Sequence, residues 1–458
     1  MATAQNCLSL PTNSQTSIRF MQQLTLPFSD LPVPVQQWKQ QALAWATAEN
    51  EAVAYYEPNG ISYRHGSFHN LLGMRKKSTG MQGLDIATTW QELEQILEAN
   101  TVAPLLGFLT YDLKNGLEQL HSQHPDQIGF PELYFFRPEI WLAWEESYVT
   151  INSFTADPVV IAREIGGMPF SACFSKNSLK TKARVPKEEY LKTVENLRQH
   201  ILEGDVYEVN YCQEFYAEVV VLNPLPLFWR LNEASPTPFA GFLKLNHRYL
   251  LCASPERFLK KEGQLLVSQP IKGTIKRGTT LEQDNQQRAA LAASEKERAE
   301  NMMIVDLVRN DLNRVAVTGS VQVEEFFGLY PFKFVWQMIS TVTGELPIKV
   351  GALEVIKAAF PMGSMTGAPK IRALELIEQY EKIKRGLYSG SLGYFMPNGD
   401  FDFNVVIRSL QYNAQTQYLS FEVGSAITYD SDPEQEYQEC LLKAAAITQV
   451  LENPSFVS

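Results

Sequence analysis

The sequence predicts a mixed α/β fold of the α+β kind, a largely antiparallel sheet assembly covered by helices. Three observations carry that expectation. Leu392 to Met396 and Phe401 to Leu410 flank Pro397-Asn-Gly-Asp400, a strong hairpin signal, and hairpins join antiparallel neighbours. Tyr190, Val194, Leu197 and Ile201 recur at helical spacing. Strand-like and helix-like runs come in groups rather than in strict alternation, which favours helices packed on an antiparallel sheet.

Taken in order, the N-terminal region mixes short apolar runs with turn residues: Leu105–Tyr111, Leu133–Phe136 and Ile140–Trp144. Ser175 to Lys187 is polar and basic and reads as a linker, so residues 1–175 form one region and residues 186–453 a second. Gly204 suits the end of the helix that starts near Lys187, because glycine accepts the left-handed backbone found there. Val206 to Val221 reads as a strand, and Leu281 to Leu312 as a charged helical stretch. Phe360-Pro-Met-Gly-Ser-Met-Thr-Gly-Ala-Pro-Lys370 is a glycine-punctuated turn before a helix-periodic run (Ile371, Leu374, Ile377, Tyr380). Its glycines let backbone N–H groups approach an anion, and its second proline suits a first helical position. No Gly-Lys-Ser/Thr follows, so it is not a nucleotide-binding phosphate loop. Tyr418 to Thr428 is the next strand. Asp432-Pro433-Glu434-Gln435 then starts a helix, with a cap, a proline at the first position and a capping-box partner.

Composition narrows the function. Apolar residues make up 45% and charged residues 20%, as in a soluble globular protein, and no apolar run reaches the roughly 18 residues needed to cross a bilayer. A formal net charge of −11 and no basic aromatic-rich stripe argue against nucleic-acid binding. The polar N-terminus lacks a secretory pattern. Cys7, Cys173, Cys212, Cys252 and Cys440 are odd in number and scattered, which fits a reducing, cytoplasmic setting rather than a disulfide frame or zinc site.

Several residue types carry chemistry. Glu297 and Glu300, and again Glu436 and Glu439, sit three apart on one helix face each. Carboxylates from two helices can hold Mg²⁺; equally, such pairs occur on ordinary solvent-facing helices. Lys272, before Gly273 and Thr274, can act as a nucleophile or base if desolvated, or be a surface lysine beside Lys276 and Arg277. Glu256 is a candidate general acid or an ion-pair partner of Arg257. Arg408 can fork onto a substrate carboxylate or bridge to Asp402 on the same strand face. Lys443 lies four residues after Glu439, as a helix-stabilising pair or as a cation beside the acids. All six histidines precede Lys272, so the motif-rich region has none to offer a triad.

These segments together resemble the chorismate-utilising enzymes, which include component I of anthranilate synthase, component I of aminodeoxychorismate synthase and the isochorismate synthases. The resemblance runs from Lys187 to Glu452 through GDVYEVNY (204–211), SPERF (254–258), PIKGT (270–274), AENMMIVDLVRND (299–311), GSMTGAPKIRALE (363–375), YSGSLGY (388–394), VIRSL (406–410) and EYQECLLKA (436–444). GFLTYDL (107–113) extends it into the N-terminal region. It implies an anthranilate synthase component I-like sandwich of two sheets flanked by helices. Lys272 in PIKGT resembles the aminodeoxychorismate synthases, since anthranilate synthases usually carry alanine there. Isochorismate synthases carry a water-activating lysine at the place held here by Glu208. The resemblance thus implies amination of chorismate at C4, giving 4-amino-4-deoxychorismate for 4-aminobenzoate and folate synthesis.

It also implies roles. Glu300 and Glu439 would hold Mg²⁺, with Glu297 and Glu436 as neighbouring ligands. Gly273, Thr274, Tyr388, Arg408, Gly424, Ser425 and Lys443 would position chorismate. Glu256 would protonate the departing hydroxyl and Lys272 would attack C2. Ammonia would come from a glutamine amidotransferase subunit. Three positions depart from the family pattern: Gln337 where many relatives have histidine, Glu208 where glutamine is usual, and Ala426 in place of a glycine. The alternatives are an anthranilate synthase component I and a non-catalytic chorismate-binding regulatory subunit.

Overall fold

The Pro397–Asp400 turn joins strands Ser391–Phe395 and Phe401–Asn404, which pair antiparallel as the turn chemistry predicts. The computed structural model describes residues 20–76, 85–99, 101–169 and 178–452. Its strands form two sheets, one of twelve strands and one of ten, and the pairings around the site are antiparallel. Strands from both sides of residue 175 build each sheet. Ala52–Glu57 pairs with Phe239–Leu245 in the larger sheet, and Leu105–Leu109 with Ser391–Phe395 in the smaller.

The sheets stack face to face. Tyr56, Leu243 and Phe239 from the larger meet Phe108, Leu392 and Tyr394 from the smaller in one buried cluster. The Tyr56 and Tyr394 rings meet edge-on at 5.0 Å, a favourable aromatic geometry. Gly241 is required there, because a Cβ would stand 2.6 Å from Leu392 Cδ2. Helices cover both outer faces. Val35–Glu49, Lys187–Leu202 and Pro433–Glu452 bury Trp38, Tyr190 and Ile447 against the larger sheet. Trp90–Glu98 and Glu295–Asn313 bury Leu93 and Ile304 against the smaller one. The layers are helix, sheet, sheet, helix, as the two-sheet expectation has it.

Local signals hold where they are short-range. The helix from Lys187 ends at Leu202, and Gly204 follows at φ +85°, its N–H reaching Ile201 O at 3.1 Å. Asp432 accepts the Gln435 N–H at 2.9 Å and opens the helix Pro433–Glu452. Tyr418–Ile427 is a strand.

Other expectations are corrected. The strand expected over Val206–Val221 spans only Glu208–Ala217. The stretch 281–312 is two helices, Leu281–Ala293 and Glu295–Asn313. Ser294 divides them, its N–H bonding Leu291 O at 3.3 Å and its Oγ accepting the Glu297 N–H. Pro369 is the cap before Lys370–Tyr380, not its first residue. The run Phe401–Leu410 is not one strand. Phe401–Asn404 belongs to the smaller sheet and Ser409–Asn413 to the larger, and Arg408 between them has φ +52°. Arg408 therefore shares no strand face with Asp402. Cys7, Cys173 and residues 175–177 of the expected linker lie outside the described residues. Cys212, Cys252 and Cys440 are buried and free. No helix among the described residues is long and apolar enough to cross a membrane.

Candidate functional site

Lys272 is delivered by a bulge. Strand Ile271–Lys276 pairs with Val335–Glu345, with Ile271 opposite Ile339 but Thr274 opposite Gln337, so the Lys272–Gly273 side carries one extra residue. Gly273 sits at φ +98°, where a side chain is strained, and a Cβ there would stand 3.1 Å from Glu297 Oε2. Asn301 Nδ2 donates to Lys272 O at 3.3 Å and fixes the bulge to the helix Glu295–Asn313. The Lys272 side chain, 10% exposed, ends 2.6 Å from Oε1 of the fully buried Glu208. Burial pulls the Lys272 pKa down, but Glu208, Glu300 and Glu256 outweigh it and the amine is held above its ordinary value.

Glu256 is buried beside Ser364, and burial pushes its pKa up to about 7 against the opposing pull of Ser364 and Lys272. Arg257 is not its partner. That guanidinium instead forks onto Asp402 at 2.9 Å through each of Nε and Nη2. A small pocket lined by Phe258, Pro270, Val308, Met362 and Val405 among others flanks Glu256. This apolar flank is why the carboxyl favours its neutral form. The turn at 360–370 supplies Ser364. It lies on strand Glu208–Ala217, where Gly367 comes so close that a Cβ would stand 2.1 Å from Glu208 O.

The four acids come together in part. Glu297 and Glu300 project from Glu295–Asn313, and Glu436 and Glu439 from Pro433–Glu452. Lys296 lies between the helices, 3.4 Å from Glu436 and 3.8 Å from Glu300. Its pKa is held up, against burial, by Glu436, Glu300, Glu439 and Glu297. Burial pushes Glu300 up to about 7, and Glu297 rises through burial and the charge of Glu439. Among the described residues no three acidic, thiol or imidazole groups already stand close enough to hold an ion. Yet Glu300 Oε1 and Glu436 Oε2 are buried without a hydrogen-bond partner, and all the donors are hard oxygens. This set fits a Mg²⁺-like ion, which takes one or two carboxylates and completes its shell with water and substrate oxygens.

Several of the remaining expected residues contact one another. Lys443 Nζ donates to Gly424 O at 2.8 Å and pairs with Glu439, which its charge holds below the usual carboxylate range. Arg408 Nη1 donates to Lys443 O at 2.9 Å, and burial lowers its pKa. Tyr388 OH accepts the Cys212 thiol. Ser425 Oγ meets Tyr190 OH at 3.1 Å. Gly424 is obligatory, since a Cβ would stand 2.4 Å from Cys212 Sγ. Ala426 pairs with Asn210 on the neighbouring strand, and Gln337 is buried opposite Thr274.

Sequence reasoning missed Lys296, Ser364 and Asn301, and it noted Glu208 only as a departure. Lys296 carried a faint signal, standing four residues before Glu300 on one helix face. Ser364 and Asn301 lie inside the motifs at 363–375 and 299–311, but nothing local marks them as partners of Glu256 and Lys272.

The chorismate binding enzyme family model matches residues 50–449. Aminodeoxychorismate synthase component 1 from Escherichia coli (strain K12) is 35% identical over 376 residues, 79% of this chain and 82% of the relative. The probable chloroplastic aminodeoxychorismate synthase of Oryza sativa subsp. japonica is 41% identical over 342 residues, 73% of this chain; the match spans 38% of that longer protein. Anthranilate synthase component I from Streptococcus pneumoniae TIGR4 superposes with a TM-score of 0.70 at 25% identity, covering 95% of this chain and all of that one. With the family model matching residues 50–449, most of its length, the chain belongs to the chorismate binding enzyme family.

Proposed function

We propose that this protein is the chorismate-aminating component of an aminodeoxychorismate synthase, adding ammonia at C4 of chorismate. The single observation that carries the reading is Lys272 on its bulge, desolvated and facing Glu208, Glu300 and Glu256. A lysine in that place gives the enzyme a nucleophile. Mg²⁺ held by Glu300 and Glu439, with Glu297 and Glu436 beside it, would neutralise and orient the ring carboxylate of chorismate.

The chain's own residues do the rest. Arg408 and Lys443 supply positive charge to a dianionic substrate in an acidic protein, while Gly273, Thr274, Tyr388, Gly424 and Ser425 shape its seat. Glu256, whose pKa burial raises to about 7, gives its proton to the leaving C4 hydroxyl, which departs as water. Lys272 Nζ bonds to C2 as the ring double bonds shift and the C4–O bond breaks. Ammonia then bonds to C4, the double bonds shift back, and the C2–N bond breaks to free the lysine. Two easier displacements replace one. A glutamine amidotransferase partner is the proposed ammonia source, in keeping with the component 1 naming of the bacterial relative.

The test is product identification with chorismate, Mg²⁺ and ammonium. C4 amination yields a product that aminodeoxychorismate lyase converts to 4-aminobenzoate. Fluorescent anthranilate formed without the lyase would instead assign amination at C2, and no turnover would leave a binding subunit.

A further inference from the structure

A lysine can attack only as the free amine, and here it is held as an ammonium in a buried pocket. Some group must take its proton before the C2–N bond forms. Three carboxylates weigh most on Lys272, ahead of Glu297 and Glu439: Glu208 from strand Glu208–Ala217, Glu300 from helix Glu295–Asn313, and Glu256 at the head of strand Arg257–Glu262. Glu256 must itself carry a proton to the leaving hydroxyl, so it cannot serve. Glu300, Glu297 and Glu439 belong to the acid set around Lys296. Glu208 alone makes a hydrogen bond to Nζ, at 2.6 Å. Its other oxygen, Oε2, is buried with no hydrogen-bond partner. A carboxylate kept only to neutralise a buried lysine gains from having both oxygens bonded. Glu208 is not so arranged: Oε1 already accepts the Nζ hydrogen bond along which a proton can pass, and no other donor among the described residues holds Oε2.

We propose that Glu208 is the catalytic base that takes the Lys272 Nζ proton, through the 2.6 Å contact, before the amine attacks C2. The inference deepens the C4-amination reading and rests on it. The cycle balances. The ammonium proton passes to Glu208 Oε1, leaving a neutral acid and a neutral amine. The amine bonds to C2, Glu256 protonates the departing hydroxyl, and water leaves, so the adduct nitrogen carries two hydrogens and a positive charge. Ammonia bonds to C4 and the adduct nitrogen departs as the neutral amine. Glu208 then returns its proton to Lys272, and Glu256 recovers its own from the new C4 ammonium. At this position, where an amide would only hydrogen-bond, a carboxylate can carry the proton out and back.

The test follows Lys272 directly. Wild type and Glu208→Gln are mixed with chorismate and Mg²⁺ without ammonia, and intact-protein mass spectrometry follows growth of a species heavier by one chorismate less one water, located by peptide mapping. Expected are an adduct on Lys272 in wild type, about 100-fold slower adduct formation in Glu208→Gln, and a chorismate KM within about threefold of wild type. Glu208→Asp, which keeps a carboxylate, should fall between the two. If the glutamine variant does not fold, Glu208→Asp alone decides: adduct formation at least about tenfold slower than wild type supports the base, and an equal rate overturns it. An unchanged rate in Glu208→Gln overturns it too, while wild-type C4 amination leaves the broader reading standing. A wild-type enzyme that forms no Lys272 adduct overturns the covalent route itself.

Discussion

Replacing Glu256 with glutamine separates what burial does to this carboxyl from what the carboxyl does to chorismate. Burial lifts Glu256 from an ordinary 4.5 to about 7. That rise corresponds to about 3 kcal/mol of preference for the neutral form in the folded state. Because the folded pKa lies above the unfolded one, this stability is fully present below about pH 4.5. It is lost as pH rises through about 7, where a buried group must ionise. Glutamine never ionises. The difference in unfolding free energy between Glu256→Gln and wild type should therefore move by up to about 3 kcal/mol in the variant's favour between about pH 4.5 and pH 9. Urea denaturation at several pH values, without substrate, measures it. The same substitution removes the proton donor, so kcat/KM should fall by about 10²–10⁴-fold near neutral pH. Wild type is expected to lose activity above about pH 7 as Glu256 ionises, and that limb should be absent from the variant. A stability difference that stays flat with pH would refute the buried, neutral carboxyl. A variant within about threefold of wild-type activity would refute its role as the acid.

Lys272→Ala should lose C4 amination by more than about 100-fold while calorimetry still detects chorismate, since the seat formed by Arg408 and Lys443 remains. Lys296→Gln removes the cation that sits among the four acids. It should lower the Mg²⁺ concentration for half-maximal activity several-fold and lower the metal-free melting temperature, because the carboxylates then repel without a counter-charge. Asp402→Ala leaves the fully buried Arg257 guanidinium unpaired. It should cost about 3–5 kcal/mol by urea denaturation, regardless of metal or substrate.

What could be read in the chain was local. Pro397–Asp400 forces a hairpin, and Asp432 with Pro433 forces a helix start, because a few residues fix those backbones by themselves. The hydrophobic alternation of Phe401–Leu410 looked like one strand because period-two patterning does not say which sheet a residue joins. The switch between sheets is made at Arg408 by a left-handed backbone that an arginine does not advertise. The site shows the same division. Resemblance across ordered motifs put Lys272, Glu256 and the four acids on a single list, but it could not say who pairs with whom. Glu256 and Arg257 are adjacent in sequence yet point to different partners. Lys296 and Glu436, 3.4 Å apart, stand 140 residues apart in the chain. Such pairings are set by the packing of two helices on two sheets, a property of the whole fold rather than of any segment.

The most direct test of C4 amination is to run the reaction with ¹⁵N-ammonium, chorismate and Mg²⁺ and read the position of the label in the isolated product by NMR. The account predicts nitrogen bonded to C4 with the enolpyruvyl group still in place. Nitrogen at C2, or a labelled anthranilate that has already lost pyruvate, would contradict it.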